Sequence, residues 1–192
     1  ESLGLPTTRR EDWRYTKLRG FDLAQFGRAA ETGSLTASDI APHTLSVSES
    51  LVVVVDGVFQ PHLSRLSNNS SVQMQVFSAD GYDLDVSSDK ELASAPMVAL
   101  NGALADSQIT VEIQPNQQLS APVEMVWITT AAAGTQGVHP AVRISVGAHS
   151  EVTVVERFIG LGTVPNLTNA HVVISAEDGA HVRHIKIQDE NE

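Results

Sequence analysis

Cysteine is absent from all 192 residues. That excludes disulfides, a thiolate nucleophile, and zinc or iron–sulfur centres held by cysteines of this stretch. Cations are scarce as well: 12 Lys and Arg face 23 Asp and Glu, for a formal net charge of −11. Nucleic acid and anionic membrane bind through clustered cations that release counterions, so neither is expected as a partner. The one basic cluster, Arg9, Arg10 and Arg14, is interleaved with Glu11 and Asp12 and reads as a solvated helix face. Long apolar runs are missing too. The longest, 51–55, falls far short of the roughly 20 residues that a membrane-spanning helix needs. No signal-peptide pattern is visible, and the sequence opens on Glu1 rather than Met, as a processed or partial chain would.

What is present is an ordinary globular composition, 42% hydrophobic, enough for one core with an accessory segment. Thr8-Arg9-Arg10-Glu11 has the form of a capping box and predicts a helix that carries Trp13, Lys17 and Phe21 on one face. A second short helix is expected over 22–30, from Leu23, Phe26 and Ala30 at helical spacing. The Ser-, Thr- and Gly-rich stretch 32–50 reads as a loop. Five residues from Leu51 to Val55, followed by Asp56-Gly57, predict a strand and a tight hairpin turn. Residues 72–76 alternate as a strand does, Ser88-Asp89-Lys90-Glu91 offers another capping pattern, and 97–104 carries apolar residues at helical intervals around Asn101-Gly102.

From 108 onward the pattern changes to short strands at 109–113, 123–128, 141–146, 152–158, 171–174 and 182–187. Between them lie Pro115-Asn116, Ala133-Gly134, Gly147-Ala148, Gly160-Leu161-Gly162 and Asp178-Gly179, which turn corners cheaply. An antiparallel sandwich produces a similar rhythm. Gly147-Ala148-His149 recurs as Gly179-Ala180-His181 after 32 residues, however, and a solenoid places the same small residue at the same corner of each coil. The expected fold is therefore mainly β, a β-helix solenoid whose stack stops open at its C-terminal end. Three parts are expected along the chain: an N-terminal helical segment and linker (1–50), a mixed strand and helix region (51–107), and the first coils of the β-helix core (108–192).

Several elements resemble one known family. Gly4-Leu5-Pro6-Thr7, followed by Glu11-Asp12-Trp13-Arg14-Tyr15-Thr16, is similar to the N-terminal signature of the SufB/SufD family of iron–sulfur cluster assembly proteins, nearest its SufD branch. Val54-Val55-Asp56-Gly57-Val58-Phe59 resembles the family's strand ending in an Asn/Asp-Gly turn, and Leu100-Asn101-Gly102-Ala103-Leu104 its Leu-Asn-x-Ala helix. His139-Pro140-Ala141-Val142-Arg143-Ile144 is similar to its His-Pro-Arg strand, with Ala141-Val142 before the Arg as a departure. The likeness continues through Ser150-Glu151-Val152, Val155-Glu156, Asn169 and Ala180-His181-Val182 to Gln188, and so spans essentially the whole chain.

The resemblance implies a right-handed parallel β-helix, and a non-catalytic scaffold acting in the cytoplasm with SufB-like and SufC-like proteins. It also implies that the chain is the N-terminal part of a longer protein. In the family the SufC-binding region, the SufB–SufD contact and the residues tied to cluster formation lie further on, so no catalytic, cofactor or metal residue is carried over here. A homodimer through the open end is compatible with this reading.

Residue types that could carry chemistry are weighed separately. His181 and His184 form His-x-x-His, but positions three apart on a strand face opposite ways and do not chelate one ion. The repeat would stack His149 on His181 about 4.8 Å apart on adjacent coils, as a corner ladder. Asp83, Asp85, Asp89 and Glu91 lack EF-hand spacing and read as a solvated loop. Gly160-Leu161-Gly162 lacks the third glycine of a dinucleotide fingerprint, and no serine sits in a nucleophile elbow. Trp13 and Tyr15 are expected to pin the helical segment onto the solenoid. A carbohydrate-active β-helix enzyme is the alternative, with a surface solenoid as a third. Such an enzyme needs paired carboxylates in a lateral groove, and of Glu112, Glu124, Glu151, Glu156, Arg143 and Arg157 only Glu156-Arg157 are adjacent.

Overall fold

β-Branched residues dominate wherever this chain forms strands. The computed structural model describes residues 5–16, 18, 22–27, 32–67, 70–78, 95–105, 107–132 and 134–190. The run Ser50–Val55 is β1, and it turns through Asp56 (φ 49°) and Gly57 (φ 82°) into β2, Val58–Phe59. Positive φ at both central residues is the demand of the hairpin turn that matches strand twist, and Asp-Gly meets it. β3 (Val72–Ser78) pairs antiparallel with β4 (Ser107–Ile113), so that Ser78 faces Ser107 at the mouth of a long excursion. Within that excursion lies a helix, Pro96–Leu104, started by proline at its first turn.

The remaining strands are β5 (Val123–Thr129), β6 (Gln136–Val138), β7 (Ala141–Val146), β8 (Glu151–Gly160), β9 (Asn166–Thr168), β10 (His171–Ala176) and β11 (His181–Asp189). They form three sheets, ordered β11-β8-β5-β1-β2, β10-β7-β4-β3 and β6-β9. All pairings between successive circuits are parallel: β1 with β5, β5 with β8, β8 with β11, β4 with β7, β7 with β10, and β6 with β9. The chain visits the three sheets in turn, then starts the next circuit. The protein is mainly β, with mixed sheets that are chiefly parallel and with few helices among the described residues.

Alternation along these strands builds two cores. Ile109, Val111 and Ile113, Val123, Met125 and Trp127, Val142, Ile144 and Val146, and Val152, Val154 and Phe158 face one another in the larger cluster. Leu51, Val53, Val55, Val126, Ile128 and Ile159 face the other way and are covered by Leu35 and Ile40. β1 and β5 are thus buried on both faces, which is why β1 reads as an unbroken apolar run rather than an alternating one.

That cover lies in the stretch expected to be a loop. Residues Ala37–Ile40 form a short helix, α1, whose first turn is closed by the Asp39 carboxylate accepting from the Thr36 amide at 2.7 Å, and Ala41–His43 continues as a 3₁₀ turn. The Pro96–Leu104 helix is α2. The expected helix after Thr8 is instead a three-residue 3₁₀ turn, Glu11–Trp13, preceded by Arg10 with no side-chain cap. It buries no residue, and a helix this short without a packed face has nothing to offset its nucleation cost. The second expected helix is reduced to Leu23–Gln25, beyond which Gly27 bridges Gln136 in parallel. Lys17, Phe21 and Ala30 lie outside the described residues, as do 79–94 with the Ser88–Glu91 pattern and the Asp83, Asp85, Asp89, Glu91 group.

The Gly-Ala-His repeat does not set the register. Ala141 lies opposite His171 and Glu151 opposite His181, a step of 30 residues in both ladders. The 32-residue spacing is therefore out of step by two, and the expected stack of His149 on His181 does not form. His149 sits over Gly179 instead, where a Cβ on the glycine would run into the imidazole. The equivalent corners are Pro115-Asn116, Ala148-His149 and Asp178-Gly179, whose second residues are all left-handed, at φ 60°, 58° and 70°. Backbone bonds tie them in series, from the Asn116 amide to the Ala148 carbonyl at 2.9 Å and from the His149 amide to the Asp178 carbonyl at 3.0 Å. What repeats is a backbone conformation that Asn, His and Gly tolerate, not a small side chain.

Replacing Gly179 by Val adds a strained φ and a clash with the His149 ring at once. The expected loss is about 1–3 kcal/mol, read as a lower urea midpoint with an unchanged slope.

Candidate functional site

Even-numbered positions of β8 and β11 point into the larger core, and there the apolar pattern breaks. Glu156 lies between Val154 and Phe158 on the inward face and is 1% exposed. Its two oxygens are shared between circuits: Oε1 accepts from the Trp127 indole N–H of β5 at 3.3 Å, and Oε2 lies 2.7 Å from His184 Nε2 of β11. Trp127 stacks on Phe158 with centroids 6.1 Å apart, and the Lys186 ammonium sits 4.4 Å above the Phe158 ring. Three successive circuits are thereby joined by one buried carboxylate. The charge would be costly alone in this interior, and the indole and imidazole are what make it tolerable.

The outward carboxylates are used differently. Glu124 is fully buried and takes the Leu45 amide on both oxygens, at 2.9 and 3.1 Å, which fastens the covering segment to β5. Burial pushes its carboxyl above the usual range, against the opposing pull of that amide and of Arg157 and Arg65. Asp56, 2% exposed, accepts from the Gly33 amide, the Thr130 amide and hydroxyl, and the Gln136 side chain, at 2.5 to 2.9 Å. Four donors on one carboxylate tie the first hairpin to the corner between β5 and β6. Glu151 is exposed at the start of β8, and Glu112 is exposed on β4.

Glu156 and Arg157, the one adjacent acid–base pair in the sequence, thus fall on opposite faces of β8. His184 meets Glu156 on the inward face, while His181, three residues earlier, is exposed and opposite Glu151. No cluster of three or more His, Asp or Glu able to hold a metal occurs among the described residues. Gly160 ends β8, and a Cβ on Gly162 would come within 2.8 Å of the Ala131 amide nitrogen, so this glycine pair marks a close approach between circuits.

The stretch 127–192, which contains this inward carboxylate and the last two circuits, matches a family model described as "SUF system FeS cluster assembly, SufBD core domain". The last third of the chain is similar to a SufBD core domain. Across nearly its whole length, 98% of its residues, the chain is also 27% identical to the iron–sulfur cluster assembly protein SufD of Escherichia coli. It is 23% identical to an iron–sulfur cluster assembly SufBD family protein of Synechocystis over 97% of its residues. It spans 43% and 44% of those two proteins, less than half of either.

Elements that carried the SufB/SufD resemblance take structural places. Asn101 in α2 is fully buried, and its Nδ2 donates to the Pro140 carbonyl at 2.8 Å and the Asn169 carbonyl at 2.7 Å. Asn169 returns the contact by donating to the Met97 carbonyl at 2.9 Å, and lies 3.4 Å from His139 Nδ1. The Leu-Asn and His-Pro motifs therefore meet at one corner. Trp13 and Tyr15 do not act as the expected anchors. Neither joins a core cluster, and Tyr15 is 89% exposed with Arg14 stacked 5.7 Å over its ring.

The burial of the inward carboxylate had no sequence signal, because a lone Glu in a strand reads as outward; only its parity with Val152, Val154 and Phe158 could have placed it inside. Its partner can be tested. Removing the imidazole with His184→Leu leaves Glu156 with the indole alone, and is expected to cost about 1–3 kcal/mol. Making the acid neutral in the same chain, as Glu156→Gln, should recover part of that loss in a denaturant double-mutant cycle.

The buried titratable groups also set a pH dependence. Folding raises the Glu124 pKa, so the folded state binds that proton more tightly than the unfolded chain. Stability then falls as pH rises from the ordinary carboxylate range through the shifted value. His171 moves the other way, since burial first and Arg143 second hold its imidazole below the usual value. The unfolded chain binds that proton more tightly, and stability is lost as pH falls below about 6.5. In urea melts across pH, Glu124→Gln should flatten the first limb and His171→Asn the second.

Proposed function

We propose that this chain is part of a non-catalytic scaffold subunit of a cytoplasmic iron–sulfur cluster assembly complex, SufD-like, working with a SufB-like protein and a SufC-like ATPase. The observation that carries the reading is the SufBD core match over 127–192. Its span coincides with circuits that step by 30 residues between parallel strands. On this reading the strands are coils of a right-handed parallel β-helix, which begins at 108–192 behind the N-terminal segment 1–50 and the mixed region 51–107. A scaffold needs a stiff body more than a reactive pocket. The carboxylates most able to do chemistry are already spent on holding elements together: Asp56 at the first hairpin, Glu124 on the covering segment and Glu156 between circuits.

The alternative of a carbohydrate-active enzyme draws no support from this arrangement, because its two carboxylates would have to face one groove. Here Glu156 is inward and Arg157 outward, and Glu124 accepts backbone amide bonds.

The reading is tested by co-expressing the full-length protein with SufB-like and SufC-like proteins of the same organism and purifying through a tag on this subunit. A stoichiometric complex is expected, with ATP hydrolysis that vanishes when the SufC-like protein is left out. A full-length protein that hydrolyses ATP by itself, or that captures neither partner, would overturn the proposal.

A further inference from the structure

Asn101-Gly102 is the one Asn-Gly pair in the sequence, and it sits where the fold can least spare the asparagine. The buried residues of α2 are Pro96 and Asn101, and none of its side chains belongs to either hydrophobic cluster. Its docking includes the two bonds from Asn101 Nδ2 to the Pro140 and Asn169 carbonyls, and the bond from Asn169 to the Met97 carbonyl. Elements with few buried apolar contacts open at low free energy, well before the whole domain unfolds.

An Asn-Gly pair carries its own chemistry. The backbone nitrogen of the glycine can attack the asparagine Cγ, because glycine has no Cβ to hinder the approach. A C–N bond forms and the Cγ–Nδ2 bond breaks, the amide nitrogen leaves as ammonia with the proton lost by the backbone nitrogen, and one water opens the resulting ring to aspartate or isoaspartate. In α2 this is blocked. Helical ψ turns the Gly102 nitrogen away from Cγ, and Nδ2 is engaged by two carbonyls.

We infer that Asn101-Gly102 is a self-modification site guarded by α2, so that opening of the helix converts Asn101 to an acid that no longer docks. The product puts a carboxylate where two carbonyl oxygens converge. Acceptor then faces acceptor in a buried site, and neither carbonyl keeps its donor. Isoaspartate adds a backbone atom inside the helix and breaks its hydrogen-bond ladder. Opening is reversible until the ring closes; afterwards α2 stays released.

The test is peptide-mapping mass spectrometry of the full chain held at mildly alkaline pH, with isoaspartate assayed by an isoaspartate methyltransferase. Conversion at Asn101 should be roughly tenfold slower or more in the folded chain than in urea, the factor that an opening free energy of about 1.4 kcal/mol imposes. Asn169→Ala, which removes the bond to Met97 but leaves the Asn169 carbonyl, should speed it in the folded chain. Gly102→Ala should suppress it in both conditions. Hydrogen exchange on Asn101→Asp should show α2 exchanging freely while β7 and β8 stay protected. Equal rates in folded and urea-treated chain, or an Asn101→Asp chain with α2 still protected, would overturn the inference.

Discussion

In-register parallel pairing of strands from successive circuits is the constraint on which everything else here depends. Once β8 is registered against β5 and β11 against β8, the corners must fall at matching heights, and each must turn in the same sense. The left-handed residues at 116, 149 and 179 are the local expression of that demand. Side chains then inherit their faces from the ladder, so one inserted residue would exchange inward for outward positions along a whole strand. The buried polar groups follow the same logic. Asp56, Glu124, Glu156 and Asn101 each bind residues distant in sequence, and each is placed where circuits or covering segments meet.

Much of the architecture was legible because the strands are long enough to show a period. All six strands expected after 108 exist. β6 and β9 were missed because three residues carry no periodicity. The corner was misread for a chemical reason. Gly-Ala-His looks like a repeat of side chains, whereas the corner selects a backbone conformation that Asn116, His149 and Gly179 satisfy with different side chains.

Helical segments were read less well, since short helices depend on what they pack against. Thr8-Arg9-Arg10-Glu11 has the right letters and no buried face, whereas Thr36-Ala37-Ser38-Asp39 has the same kind of signal and succeeds because Ile40 and Leu35 find the β1–β5 surface. Of the site, Glu156, Asn101 and His139 had all been marked by the family resemblance, but neither the burial of the acid nor the corner shared by Asn101 and His139 was visible in it. The Trp-Arg-Tyr element had been marked in the same way, yet it lies outside both cores. A motif's recurrence therefore indicated importance without indicating burial.

The paired serines at the mouth of the β3–β4 excursion have a consequence for how such a protein can change. Ser78 and Ser107 close the ladder where the excursion leaves, so its length is uncoupled from the register of every circuit. Closing a longer loop at a mouth already held shut costs only a slowly growing entropy, about 0.6 kcal/mol per doubling. Insertions or a grafted domain between Ser78 and α2 that keep Asn101 on its two carbonyls would leave the stack as it is, which makes this the place where lineages could diversify and where a reporter could be spliced in.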